Sequence, residues 1–113
     1  MNLEDLQAKT WLEPWHAVVG GVEELELAKE VSSAHPLFGV KALAVARRND
    51  NDDVLFFLPG QGHELAVVHL TYNHNENSAE FPWTRFFDSF AEFEEIMRTD
   101  HEQRVPTGAD DTD

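Results

Sequence analysis

The chain has 113 residues, of which 42% are hydrophobic and 11% aromatic, and it carries 22 acidic against 8 basic side chains, a formal net charge of −14. This length and apolar content predict one compact domain and exclude a wholly disordered chain. The charge excludes nucleic acid and anionic lipid as expected partners, because both are bound mainly through lysine and arginine contacts to phosphate. A basic protein surface would instead be attracted.

The composition also bears on compartment and covalent chemistry. There is no cysteine, so a disulfide framework, a zinc–thiolate site and a thiol nucleophile are excluded. No apolar run approaches the about 20 residues that span a bilayer. Residues 1–5 lack the basic and apolar character of a signal peptide, so we expect a cytoplasmic protein with no membrane partner. Residues 1–103 are predicted to form a single α+β domain, and residues 104–113 a disordered acidic tail.

Two helices are predicted in the first third of the chain. Residues 3–12 place apolar side chains at helical spacing, and Pro14 ends that segment. Residues 22–33 are rich in Glu, Leu, Ala and Lys, which favour helix. The buried face of this second helix is expected to consist of Leu25, Ala28 and Val31.

Three strands follow, over residues 40–47, 54–58 and 64–72. The turns between them are short and rich in Asn, Asp, Pro and Gly, and connections this short permit only antiparallel neighbours. The sequence therefore predicts a three-stranded meander. Alternation along the first strand predicts one face with Leu43 and Val45, and an opposite face with Val40, Ala42, Ala44 and Ala46.

A fourth strand over residues 81–87 is predicted at an edge of the sheet, because Pro82 would cost a hydrogen bond in a central strand. Ser89 and Glu92 then have the spacing of a capping box. The helix that follows carries an apolar stripe expected to pack on the sheet, formed by Phe86, Phe90, Phe93 and Met97.

The predicted fold is therefore an α+β domain with a three- to four-stranded antiparallel meander sheet packed against N-terminal and C-terminal helices. The strand over 54–58 has no polar position, so both faces of the sheet must be covered. The terminal helices lying on opposite faces, or a second copy of the chain covering one face, would each satisfy this requirement.

No sequence pattern predicts a reaction. The turn at 50–53 lacks the Gly and Glu of a calcium loop, and the Gly60–Gly62 turn precedes a strand rather than the helix of a phosphate-binding loop. Adjacent carboxylates are expected to be solvated helix surface, because acid–base catalysis would require burial to shift their pKa. We therefore expect no enzymatic activity, and assign no catalytic residue, metal ligand or cofactor.

The aromatic residues provide the best candidate site. Tryptophan is enriched at the centres of protein interfaces, and Trp83 lies beside a polar loop. Tyr72, Phe81 and Trp83 are predicted to supply contact area for a basic protein partner, with Glu76 and Glu80 as a charged rim. The alternative for Trp11, Trp15 and Trp83 is that they close the core of a small domain.

Two other functions stay open. A small-molecule or metal site around His69, Thr71 and His74 is one, although this histidine spacing is not a recognised zinc pattern. The other is a structural homodimer whose sheet faces pair.

Five segments within residues 37–100 carry a resemblance to known proteins. They are Ala44-Val45-Ala46-Arg47-Arg48, Asp53-Val54-Leu55-Phe56, Ala66-Val67-Val68-His69-Leu70-Thr71-Tyr72, Pro82-Trp83 and Ser89-Phe90-Ala91-Glu92-Phe93. On these segments the chain resembles a group of small, uncharacterised bacterial proteins. The order of elements and the acidity also resemble compact immunity proteins, which neutralise secreted toxins of competing bacteria. That second resemblance implies a toxin domain as the partner and supplies no catalytic residues.

Overall fold

The structure, a computed structural model, describes residues 2–72 and 82–104. Three helices and five strands follow one another along these residues. They are α1 (Leu3–Gln7), β1 (Trp15–Ala17), α2 (Val22–Glu30), β2 (Leu43–Arg48), β3 (Asp53–Phe57), β4 (Leu65–His69), β5 (Trp83–Phe87) and α3 (Phe90–Arg104).

The strands form one antiparallel sheet in the order β1-β2-β3-β4-β5. The predicted α+β class and antiparallel meander are confirmed, and β5 lies at an edge as predicted. The sheet has five strands rather than three or four. The missed strand is β1, which is three residues long and too short to show an alternating pattern.

One face of the sheet, here called the α3 face, is covered by both terminal helices. Leu6 of α1 and the α3 residues Phe90, Phe93 and Met97 are buried there against strand residues such as Leu55. Phe93 is fully buried and has edge-on contacts with the rings of Trp11, Trp15 and Phe87. The predicted stripe is thus confirmed for its three helical members.

The opposite face, here called the α2 face, is covered by helix α2 and the chain that follows it. Leu27 and Leu37 pack there on a mainly aliphatic surface that includes Val54 and Val68. Both terminal helices therefore share one face, and an internal helix covers the other. Phe86, predicted as part of the α3 stripe, instead packs on the α2 face.

The predicted alternation along β2 is wrong at Ala46. Ala44 pairs with Phe56 and Ala46 with Leu55, so the register shifts by one residue between them. A bulge of this kind sends the following side chains to the other face. Ala46 consequently packs with Val45 on the α3 face, while Ala44 stays on the α2 face.

The predicted inner face of α2 is wrong at Leu25 and Ala28, whereas Val31, just after the helix, packs partly buried on the α2 face as predicted. Leu25 is 67% exposed and Ala28 is exposed, whereas Leu27 is buried beside three glutamates. These glutamates, Glu23, Glu26 and Glu30, are each at most 8% exposed. Carboxylates occupy this helix face because the sheet and the chain after β4 offer them hydrogen-bond donors, as described below.

Two segment ends differ from the prediction. Helix α1 stops at Gln7 rather than residue 12, with its start closed by a reciprocal cap between Asn2 and Asp5. Helix α3 runs to Arg104, and residues 105–113 of the predicted tail lie outside the described residues. Among the helices that are described, none is long and apolar enough to cross a membrane.

Candidate functional site

Trp83 opens strand β5 and is 53% exposed, the pattern expected of a contact residue rather than a core residue. It borders a shallow hollow of about 160 Å³ at one end of the α3 face, here called the Trp83 hollow. The lining combines aromatic surface with charges of both signs. The residues used below are Trp15, Arg48, Asp53, Trp83, Arg85 and Asp100.

Most charges of the Trp83 hollow already have partners within the chain. Arg48 Nη1 donates to Asp100 Oδ2 at 2.8 Å, and its remaining nitrogens bond Asp50. The hydrogen bonds with Asp50 are the largest influence on the pKa of Arg48, which is raised above its usual value. The Asp53 carboxylate lies 2.7 Å from His69 Nδ1. The hollow is therefore a fixed surface of aromatic rings with carboxylate oxygens at its wall.

Arg85, by contrast, has no carboxylate partner within the residues the structure describes. Its guanidinium lies 5.1 Å from the centre of the Phe87 ring, on the same face of β5 as Trp83. This cation–π contact holds the side chain against the sheet.

Tyr72 is 45% exposed and has a backbone φ of +54°, which is uncommon for a residue with a side chain. Glu30 at the end of α2 holds this conformation. Its Oε2 accepts the Tyr72 N–H at 2.8 Å, and its Oε1 accepts the Thr71 N–H at 2.7 Å and the Thr71 hydroxyl at 3.0 Å. Both carboxylate oxygens thus accept hydrogen bonds from the backbone N–H groups that follow β4.

Glu30 is only 2% exposed. Burial raises the pKa of this carboxyl above its usual value, and a hydrogen bond with the Glu26 side chain raises it further, whereas the bonds from Thr71 and Tyr72 oppose the shift. Two carboxyl groups can share a hydrogen bond only if one holds a proton, so the protonation of Glu26 and the protonation of Glu30 depend on each other.

Arg47 links α2 to the sheet and to Tyr72. Its guanidinium bonds Glu23 Oε2 at 3.2 Å and lies 3.5 Å from Asp52 Oδ1. Burial lowers the pKa of Arg47, but hydrogen bonds with Tyr72 and Glu23 outweigh it and the pKa is raised overall. The arginine therefore stays charged and neutralises part of the buried acidic helix face.

The structure describes two of the five predicted site residues, Tyr72 and Trp83. Tyr72 and Trp83 are both exposed, but Tyr72 meets Arg47 on the α2 side and Trp83 lines a hollow on the α3 face, so they do not form one patch. Glu76, Glu80 and Phe81 lie outside the described residues. Of the other tryptophans, Trp15 is buried in the core of the α3 face. Trp11 is partly buried there against the rings of Phe90 and Phe93, so the core alternative fits both.

The residues of the alternative site have separate partners. His69 bonds Asp53 and Thr71 bonds Glu30, while His74 lies outside the described residues. Over residues 2–72 and 82–104 there is no group of three His, Cys, Asp or Glu side chains placed to hold a metal ion.

A second hollow, of about 310 Å³, lies on the α2 face and is here called the Phe86 hollow. Its lining is mostly apolar and includes Leu37, Val40, Leu58, His63 and Phe86. The His63 ring stacks on Phe86 with centres 4.9 Å apart, and His63 Nδ1 lies 2.7 Å from Asp88 Oδ1. Strand β5 thus has a hollow beside each of its faces.

His35 is a buried residue that the sequence analysis did not single out. It is 4% exposed, and its Nδ1 accepts the Leu37 N–H at 3.0 Å. Its Nε2 therefore carries the proton and donates to Pro82 O at 2.8 Å, just before β5 begins. This bond fixes the start of β5 to the chain that follows α2. No pattern in the sequence marks it, because the partner is a backbone carbonyl 47 positions away.

The sequence analysis also missed Glu30 and its neighbours. Their spacing contained a signal, since Glu23, Glu26, Leu27 and Glu30 recur at the three- and four-residue intervals of one helix face. That signal was outweighed by the expectation that glutamate faces solvent.

Comparisons with known proteins provide no relative. No protein-family model matches the chain, and neither a curated protein nor a solved structure is significantly similar to it.

Proposed function

We propose that this chain is a non-enzymatic, acidic binding module that holds a basic protein partner. The observation that carries the proposal is Trp83, a half-exposed tryptophan on an edge strand beside Asp53 and Asp100, in a chain with a net charge of −14. An aromatic anchor next to carboxylates suits a lysine or arginine, which stacks its alkyl stem and cation on the ring.

The pairing of the arginines supports the electrostatic part of the proposal. Arg47, Arg48 and Arg98 each lie within ion-pair distance of a carboxylate of the same chain. The excess acids therefore dominate the field at a distance, which favours fast association with a cationic surface and a strong dependence on salt. The resemblance to acidic immunity proteins suggests a toxin domain as the class of partner.

The roles of the buried acids support a binding rather than a catalytic function. Burial raises the pKa of the Glu30 carboxyl, and both of its oxygens accept bonds from the chain itself. The pair with Glu26 therefore positions backbone instead of offering a proton to a substrate.

The test is affinity capture from a lysate of the source organism, with the immobilised full chain, at low salt and at about 1 M salt, where screening is nearly complete. We expect a basic protein that is retained at low salt and released at high salt. Trp83→Ala should lose this protein. Phe38→Ala is the matched control, because Phe38 is also a half-exposed aromatic, at 56%, but lies away from the Trp83 hollow. Equal retention by both variants, or no basic protein at low salt, would contradict the proposal.

A further inference from the structure

The two edges of the sheet differ in how much unpaired strand backbone they present. Edge strand β1 has three residues, Trp15–Ala17, and lies between Pro14 and Gly20. Edge strand β5 has five, Trp83–Phe87, and no strand pairs with its outer side within the described part of the chain. An open edge presents backbone donors and acceptors to any extended chain that approaches it.

The hydrogen-bond pattern identifies the groups on that edge. Leu70 N donates to Asp52 O just past the ends of β4 and β3, so the register of this pair makes the even-numbered residues of β4 face β3. The odd-numbered residues of β4 face β5, where Val67 pairs with Arg85. Since successive residues alternate sides, Thr84 and Phe86 direct their N–H and C=O groups away from the sheet.

The side chains of β5 border a hollow on each face of the sheet, next to the open edge. Phe86 borders the apolar Phe86 hollow on the α2 face, and Trp83 and Arg85 border the Trp83 hollow on the α3 face. Successive side chains of an extended peptide point to opposite faces. A peptide paired with β5 would therefore place alternate side chains beside the two hollows.

We infer that the basic partner binds through an extended segment that adds a sixth strand to the sheet along β5, with apolar side chains toward the Phe86 hollow and basic side chains toward Trp83. The inference rests on the proposed function and specifies its binding mode. Backbone bonds to Thr84 and Phe86 supply affinity, and the two hollows supply specificity. The net charge favours a basic partner, and the carboxylates of Asp53 and Asp100 favour a basic side chain beside Trp83 rather than opposite Arg85, where two cations would repel.

A second copy of this chain is a poorer occupant of the same edge. Antiparallel pairing of two β5 strands centred on Arg85 would oppose two guanidinium groups, and like charges directly opposite one another destabilise a strand pair. Two chains of net charge −14 would also repel.

The probe is a short, blocked peptide of alternating lysine and valine, with glutamine in place of the lysine opposite Arg85, added to the full chain and followed by amide NMR and hydrogen exchange. We expect saturable binding that slows exchange of the Thr84 and Phe86 amides. A peptide of alternating glutamate and valine should not bind. The lysine–valine peptide N-methylated on the edge that faces β5 should lose at least about tenfold in affinity.

A pair of variants tests the same point from the protein side. Thr84→Pro removes an outward N–H without touching the ladder to β4, and proline is tolerated at such edge positions. Thr84→Val is the control, because it also loses the hydroxyl bond to Pro82 O but keeps the N–H. We expect at least about tenfold weaker binding for the proline variant and unchanged binding for the valine variant.

The outcomes separate this inference from the proposed function. Peptide binding with no change at Thr84 and Phe86, and equal affinity for the N-methylated peptide, overturns the added strand while leaving a basic partner in place. Pairing of β5 with a second copy in the free chain, seen as concentration-dependent protection of the same amides, overturns the chosen occupant. Absence of peptide binding at low salt overturns the inference, whereas the proposed function fails only if the capture experiment also yields no basic protein.

Discussion

The two faces of the sheet are covered in different ways. The α3 face is closed by aromatic rings, with Phe93 in contact with two tryptophans and two phenylalanines. The α2 face is closed by aliphatic side chains and by a helix that turns three glutamates inward. Apolar packing is the main stabilisation of the first face, whereas the second also depends on each buried carboxylate keeping its donors. The four changes below test that difference, from the largest expected effect to the smallest.

Phe93→Ala should cause the largest loss of stability, about 3–5 kcal/mol, because it leaves a cavity among well-packed rings on the α3 face. Urea unfolding followed by tryptophan fluorescence measures the loss. Phe38→Ala, at a half-exposed position, should change the free energy of unfolding by about 0.5 kcal/mol or less. Similar losses for the two variants would show that the rings on the α3 face are not closely packed.

Glu30→Ala should cost about 1–3 kcal/mol, because the N–H groups of Thr71 and Tyr72 lose their acceptor. The control is Leu25→Ala on the same helix, at a position that is 67% exposed. Chemical denaturation measures both, and amide exchange at Thr71 and Tyr72 reports the local effect. A Glu30→Ala variant as stable as the control would mean that α2 is held by its apolar contacts alone.

Glu26→Gln should change how stability depends on pH. The pKa of Glu30 is raised above 4.5 in the folded chain, so the folded chain holds this proton more tightly than the unfolded chain. The resulting stabilisation is complete below about pH 4.5 and is lost as pH rises through the raised pKa. An amide at position 26 donates to the Glu30 carboxylate and should lower that pKa. The free energy of unfolding of the variant should therefore rise relative to that of the wild type as pH rises, which urea unfolding at several pH values measures. Curves of unfolding free energy against pH that run parallel for the two proteins would contradict the interaction between Glu26 and Glu30.

Trp83→Ala should have the smallest effect on stability, below about 1 kcal/mol, because half of the side chain is already in water. Trp15→Ala is the contrasting change, since Trp15 is 3% exposed and should cost about 3–5 kcal/mol. Thermal melts of both variants test this difference. A large loss for Trp83→Ala would make that residue part of the core and remove the main support for the binding site.

The sequence predicted the α3 face better than the α2 face, for a physical reason. Phe90, Phe93 and Met97 recur at helical spacing, and large apolar residues are driven inward wherever the chain places them. Whether Glu30 is buried depends on donors that fold next to it from residues about 40 positions away, and no local pattern records them. Ala46 was misplaced for a related reason, since the bulge in β2 is set by pairing with β3.

For Tyr72 and Trp83, the sequence predicted exposure but not their placement relative to each other. Tyr72 and Trp83 are exposed aromatics, as expected, because each lies next to a polar loop at the end of a strand. Their placement on opposite sides of the sheet follows from the positive φ of Tyr72 and the register of β5, which are not visible in the sequence.

Tyr72 and Pro82, the residues on either side of the segment 73–81, are each hydrogen-bonded to a buried side chain of the domain. Glu30 binds the backbone of Tyr72 before it, and His35 binds the carbonyl of Pro82 after it, so two residues five positions apart secure both sides. The pairing of β4 with β5 therefore does not rely on the length of the connection. A change at Glu30 or at His35 is therefore expected to loosen a strand end more than 40 positions away along the chain.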